Sequence, residues 1–416
     1  MTLTFLRTRK AARIWVLAGL VLLTLNLRAA ITEIPPVLDH LQATFHLSGT
    51  GLSVLTTLPV LCLGVFAAVT PAIARKAGTE ATVTGAAFLI TVGIVLRTVA
   101  SPVALFAGTV LAGAGIAMGN VLMPVVIKQH FARRVGFYTG LAMTLMAVSG
   151  AIAAGLAVPL TDVAGWRVAL AVWAIPSLAA VLVWGPLSLR ARPAAARRVT
   201  RDTREPSLLR SPLAWAVSAF LGVVSLMFYV LVAWLPAIMQ DQGFTAAEAG
   251  LMASAMLTIG IPLGFLVPVG AARMQDQRPL VVLVASVKAM GFSGILLAPQ
   301  AGWVWITVLG IATGSAFPLA ITLLSLRSPD PLVAARLSGM AQTIGYLLAG
   351  LGPLAMGTLH ELTGDWNSPL LLTLGLAIPG TAFGLVAARP GFVSGITREE
   401  RQPTPTLVGS GLRSQG

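Results

Sequence analysis

The chain has 416 residues, of which 56% are hydrophobic and only 10% charged, with a formal net charge of +14 and a mean hydropathy of +0.87. So little charge excludes a water-soluble globular protein and makes lipid part of the solvent. The single cysteine, Cys62, excludes a disulfide framework and reads as a small core hydrophobe.

A helix rises about 1.5 Å per residue, so a hydrocarbon core of about 30 Å takes roughly 20 residues. Continuous apolar runs of that length predict twelve membrane helices near 13–34, 51–73, 81–99, 103–127, 137–160, 167–188, 213–237, 248–271, 280–298, 303–325, 336–358 and 368–388. The continuity excludes the in–out alternation of a membrane β-barrel. The first run is too long and too polar at its far end for a cleaved signal peptide, and no small-residue cleavage site follows it.

That first span contains "LTLNLRAAITEIPPVL", residues 23–38, with Arg28 well inside it. An arginine near a span centre costs about 2.5–3.5 kcal/mol on insertion scales. Thr24 and Thr32 stand four residues to either side, on the same helical face. Such a stripe predicts a wet interior face with Arg28 meeting substrate. The competing readings are a structural hydrogen-bond hub and snorkelling to the headgroups. The guanidinium is planar, always charged and matched to carboxylate-like anions, so a small anion or a planar acceptor is the expected guest. Glu33 follows five residues on, about 140° around the helix, so the two do not share a face. Glu33 reads as a carboxylate at the outer interface, a proton-coupling group or a partner of Arg28. Arg97 and Arg167, at later span ends, read as interfacial anchors.

Basic residues set the expected topology. With the amino terminus inside, 24 of the 28 fall in inner segments, which predicts both termini in the cytoplasm of a cell whose inner membrane holds the chain. A nucleic-acid role is excluded by the same distribution. The longest break, "RARPAAARRVTRDTREPSLLRSP" at 190–212, is basic and proline-punctuated and reads as a cytoplasmic linker. The division is then a tail at 1–12, a six-helix half at 13–189, the linker, a second half at 213–389 and a disordered tail at 390–416.

The halves repeat. "GIAMGNVLMP" from Gly115 echoes "GIATGSAFP" from Gly310, and "TGLAMT" from Thr139 echoes "SGMAQT" from Ser338. "GWR" ending at Arg167 matches the Asp365–Trp366 pair, and "AIP" recurs at Ala174 and Ala377. Four matches in one order at a nearly constant offset predict an all-α integral membrane fold of two six-helix pseudo-repeats in parallel.

At the residues themselves the chain resembles the major facilitator superfamily, in the branch of cyanate permeases and 2-nitroimidazole transporters. "LNLRAAIT", "GLSVLTTLPVLCLGVFA", "LAGAGIAMGNVLMP", "FYVLVAWLPAI", "GSAFPLAITLL" and "ARLSGMAQTIGYLLAGLGPLAMGTLHELTG" carry the likeness through both halves. The resemblance implies secondary transport, and no Walker motif contradicts it. One departure is Ala74, which precedes Arg75 where the superfamily's loop between spans two and three has an aspartate. The resemblance places spans one, four, seven and ten around a central cavity, closed at its ends by two, five, eight and eleven. Candidate contacts on those spans are Asn120, Thr144, Tyr229 or Trp234, Thr313, Ser315, Phe317, Gln342 and Tyr346. Tyr229 and Trp234 are five apart, so one alone faces inward, whereas Gln342 and Tyr346 share a face. Arg28 is expected beside Asn120, Ser315 or Tyr346. The lone cation places the anion nearer the first half, with aromatic and neutral walls from the second. Lys288, mid-span in the ninth segment, reads as a structural contact, a coupling group or a substrate contact.

No catalytic constellation, metal-ligand spacing or cofactor motif emerges. The expected partners are a small-molecule substrate, optionally a coupled proton, and the bilayer, with one chain as the functional unit. The runner-up is broader drug or metabolite efflux, which for cationic drugs calls for an acid in the cavity.

Overall fold

The computed structural model describes residues 9–190 and 207–393. Within them the chain forms fourteen α-helices and a few 3-10 turns, with no strand among the described residues. The first half holds α1 (Arg9–Thr32), α2 (Leu38–Phe45), α3 (Gly49–Ala77), α4 (Thr79–Arg97), α5 (Pro102–His130), α6 (Val135–Ala164), α7 (Trp166–Ala171) and α8 (Ala174–Arg190). The second holds α9 (Pro212–Asp241), α10 (Ala246–Arg273), α11 (Arg278–Leu297), α12 (Gly302–Leu326), α13 (Pro331–Thr363) and α14 (Asn367–Ala387). Most of the expected linker, 191–206, and the expected tails at 1–8 and 394–416 lie outside the described residues.

Eleven described helices are long and apolar enough to cross a membrane. The twelfth element is α13: at 33 residues it has ample length, but Arg336, Gln342, His360 and Glu361 make it more polar. The sixth span is split into α7 and α8. Pro176 removes the hydrogen bond that would reach back to Val172 and crowds its carbonyl, and the break falls at Val172–Trp173. The matching Pro379 sits inside an unbroken α14.

The packing repeats span for span. In the first half α1 lies on α6 and α8, α5 on α3 and α4, and α4 on α8; in the second, α9 lies on α13 and α14, α12 on α10 and α11, and α11 on α14. Across the halves α3 meets α13 and α6 meets α10. The repeated "TGLAMT" and "SGMAQT" stretches form this seam. A Cβ on Gly140 would stand 2.7 Å from the Phe265 carbonyl oxygen of α10, and one on Gly339 would stand 3.0 Å from that of Ala67 on α3. Only glycine lets the backbones come so near.

Seam contacts gather at the end of the bundle where α1 begins and α14 ends. There Lys128 of α5 also donates to the Ser325 carbonyl of α12 at 2.8 Å. Toward the other end, a Cβ on Gly155, Gly250 or Gly350 would meet nothing within 4 Å. The described contacts that join the halves thus gather at one end, and the space between the halves is not enclosed. Behind the joined end, Arg327 donates to the Ala387 and Ala388 carbonyls, each at 2.8 Å, and to Gln277 Oε1, tying α12 to α14 and to the α10–α11 turn. Burial pushes Arg327 down to about 10. In the same turn, hydrogen bonds from Arg278 hold Asp276 below its ordinary carboxylate value.

Candidate functional site

Between the halves lies a cavity of about 310 Å³. Arg28 and Thr32 of α1 reach it, with Met143, Met146 and Gly150 of α6. The second half supplies Ser225, Phe228 and Tyr229 of α9, Met256, Leu257, Thr258, Gly260 and Ile261 of α10, Thr313 and Phe317 of α12, and Tyr346 of α13. Arg28 is the single charged side chain among these lining residues.

Arg28 projects there because of what stands behind it. Leu23 and Leu27, on the other face of α1, are buried against Gly119 of α5. On the cavity side Gly150 leaves room for the arginine's methylenes, and Thr32 donates to the Gly150 carbonyl at 3.0 Å, fixing α1 against α6. The guanidinium carbon lies 5.8 Å from the Phe228 ring centre, a cation–π contact across the two halves. Among the described residues no carboxylate pairs with Arg28. Both Tyr229 and Tyr346 lie within electrostatic reach of it. Ser225 Oγ is buried on the cavity wall with no hydrogen-bond partner.

The remaining expected contacts fall elsewhere. Thr24 is fully buried and donates to the Leu20 carbonyl at 2.9 Å, within its own helix. Trp234 turns away to donate to the Pro353 carbonyl at 2.8 Å and packs on Trp366, so Tyr229 is the member of that pair facing inward. Ser315 donates to the Ile311 carbonyl at 2.7 Å. Gln342 donates to the backbone carbonyl of Asn120 at 3.0 Å and to Ser338 Oγ at 2.8 Å, so this pair joins α13 to α5. None of these lines the cavity, and α5 contributes no wall residue; of the expected neighbours of Arg28, Tyr346 alone does. The seam helices α6 and α10, expected only as closures at the ends, form much of the wall.

Two charged residues, Glu33 and Arg97, require correction. Glu33 is neither at the interface nor paired with Arg28: fully buried, its Oε1 lies 3.1 Å from Arg97 Nη1. Arg97 is not an interfacial anchor, since it too is fully buried and also donates to the Ala30 carbonyl at 2.7 Å. Glu33 Oε2 and Arg97 Nε and Nη2 have no partner. Arg167 is exposed, over the Trp166 ring at 5.2 Å. Lys288 is buried between α11 and α9, its Nζ 3.9 Å from Met227 Sδ, and it does not reach the cavity. Among the described residues, no cluster of three metal-ligating side chains occurs.

Sequence reasoning missed Ser225, Phe228, Gly150 and the three methionines. Ser225 carried a usable signal, being four residues before Tyr229 on one face.

Comparison with known proteins places this geometry. The profile of the Major Facilitator Superfamily matches residues 15–353. The chain is 36% identical to the uncharacterized transporter YycB of Bacillus subtilis, covering 92% of this chain and 96% of that one. It is 35% identical to a 2-nitroimidazole transporter of Escherichia coli, covering 91% and 96%. Identity to the cyanate transport protein CynX of Escherichia coli is 31%, covering 86% and 94%. Among solved structures, the proton:xylose symporter XylE superposes with a TM-score of 0.76 at 12% identity, over 93% of this chain and 99% of that one.

Proposed function

As this chain belongs to the major facilitator superfamily and is a membrane transporter rather than an enzyme, we propose that it moves a small anion, cyanate-like or carboxylate-bearing, or a nitroimidazole-like heterocycle, by alternating access. The observation that carries this reading is Arg28: a cation without an ion-pair partner, facing a cavity between two halves whose joining contacts gather at one end. A guanidinium so placed binds a planar acceptor through paired hydrogen bonds. Rehydration on opening to the other side then releases it. The absence of any acid among the lining residues weighs against efflux of cationic drugs.

The membrane is the inner one, with both termini cytoplasmic, on the strength of the basic residues gathered at one end. The conformation described is then outward-open. One chain encloses the whole cavity between its own halves, which supports a monomer as the transporting unit. Glu33 is the one buried carboxylate among the described residues and its Oε2 is free, so it is the group assigned to any coupled proton.

The test is uptake of labelled cyanate and of 2-nitroimidazole into liposomes holding the purified chain. Arg28→Ala should abolish uptake with insertion and folding intact, and Arg28→Lys should not restore it. Wild-type rates in Arg28→Ala sink the reading. Glu33→Gln should flatten the pH dependence of transport while leaving binding in place.

A further inference from the structure

The bond between Gln342 and the Asn120 carbonyl has its cause in the covalent chemistry of α5. In a regular helix that carbonyl accepts from the residue four further on, but here the residue is Pro124, which has no N–H. A carbonyl freed inside a membrane helix needs a donor from a neighbour. Gln342 Nε2 of α13 supplies it across the halves at 3.0 Å, and its second hydrogen goes to Ser338 Oγ at 2.8 Å. Gln342 is 1% exposed. Tyr346, one turn further along α13, lines the cavity, whereas neither Gln342 nor Asn120 does. Gly339, on the other side of Gln342, lies in the seam with α3. The bond therefore stands between the cavity and the joined end.

The repeat shows that the bond is particular to one half. Pro318 stands at the corresponding place in α12 and deprives the Gly314 carbonyl of its helical donor. The residue of α6 that matches Gln342 in the repeated "TGLAMT" and "SGMAQT" stretches is Met143, which has no hydrogen to donate. One repeat carries the bond and the other cannot.

Parting the halves at the joined end costs different amounts with and without water. Dry separation strands the Asn120 carbonyl, with no backbone donor to fall back on, at the full desolvation penalty of an unpaired acceptor. Separation with water present satisfies that carbonyl. It also satisfies Gln342 Oε1, which is buried and accepts from no group of the protein here. The bond thus holds one arrangement of the halves until the joined end is wetted.

We propose that Gln342 is a positioning residue of the transport cycle: its bond to the Asn120 carbonyl locks the halves between the cavity and the joined end and sets the balance between the two facing states. This rests on the alternating-access reading above. Pro124 is what makes the lock, because an α5 able to satisfy Asn120 from within would not depend on Gln342.

Sidedness of labelling tests this in the full chain in membrane vesicles, with an Ala151→Cys reporter on the cavity wall and a membrane-impermeant thiol reagent applied to either face. Gln342→Met, an apolar chain of similar length, strands the carbonyl and should shift the balance toward the opposite-facing state about tenfold. Labelling from the face remote from the joined end then falls, and labelling from the other face rises. Pro124→Ala added to Gln342→Met returns an N–H to the Asn120 carbonyl and should restore the wild-type ratio, a rescue that a merely packing role would not give. Gln342→Asn, polar but too short to reach, should shift the ratio as Gln342→Met does, and it carries the test if Gln342→Met fails to fold. A wild-type ratio in a folded Gln342 variant overturns the proposal, as does a shifted ratio that Pro124→Ala leaves in place. If Gly339→Leu at the seam changes the ratio while the Gln342 variants do not, the lock falls and alternating access stands. If no variant changes it, both fall.

Discussion

Gly150 of α6 presses on the shaft of Arg28: a Cβ built there would stand 2.7 Å from Arg28 Cγ. The glycine thus decides how far the guanidinium reaches into the cavity. Gly150→Ala should displace it and weaken anion binding about tenfold, which is ~1.4 kcal/mol, with a neutral probe little affected. Gly155→Ala, five residues on, is the control, since its Cβ would meet nothing within 4 Å. Equal titration curves for Gly150→Ala and the wild type would show that the contact is slack.

The buried Glu33–Arg97 pair ties the end of α1 to the end of α4 through one hydrogen bond, with three polar atoms left over. Removing one partner strands a charge in the interior, at about 3–5 kcal/mol. Glu33→Leu should therefore lower the melting temperature sharply, and adding Arg97→Met should restore most of the loss. Thermal unfolding in detergent reads both; a double variant as unstable as the single one speaks against a simple ion pair.

Lys288 presents the opposite case. Its ammonium is buried against a thioether, 3.9 Å from Met227 Sδ, and a sulfur is a weak acceptor. Lys288→Met replaces an ill-solvated cation with an apolar chain of similar length, so stability should stay level or rise, with transport retained. Transport lost in a well-folded Lys288→Met protein would assign the amine a working role instead.

Gly339 sits where α13 crosses α3 at the joined end, its absent Cβ 3.0 Å from the Ala67 carbonyl oxygen. Gly339→Leu cannot fit there, so the joined end should be forced apart and the population shifted toward the opposite-facing state. The chain's one native cysteine, Cys62, is buried. A reporter made by Ala151→Cys on the cavity wall can therefore be labelled by a membrane-impermeant thiol reagent over a low background. Labelling from outside should fall severalfold in the Gly339→Leu background; unchanged labelling would mean that this contact does not hold the end shut.

The sequence by itself settled what depends on local composition and spacing. Runs of about 20 apolar residues identify membrane helices because lipid offers the backbone no partners. The echoes of "GIAMG" and "TGLAMT" in the second half, as "GIATG" and "SGMAQT", exposed the repeat, and Arg28 stood out because a charge within a span is costly. Pairing was beyond its reach. Glu33 found Arg97, 64 residues away, because α1 and α4 pack side by side, and no spacing rule joins residues on different helices. Whether Tyr229 or Trp234 faced inward turned on Pro353, whose carbonyl accepts the indole. The cavity wall contributed by α6 and α10 was hidden for a different reason. In a membrane protein, lipid-facing and interior surfaces are about equally apolar, so Met143 or Met256 on the cavity looks no different in sequence from a methionine facing the bilayer. Only the packing of the two halves decides which face is which.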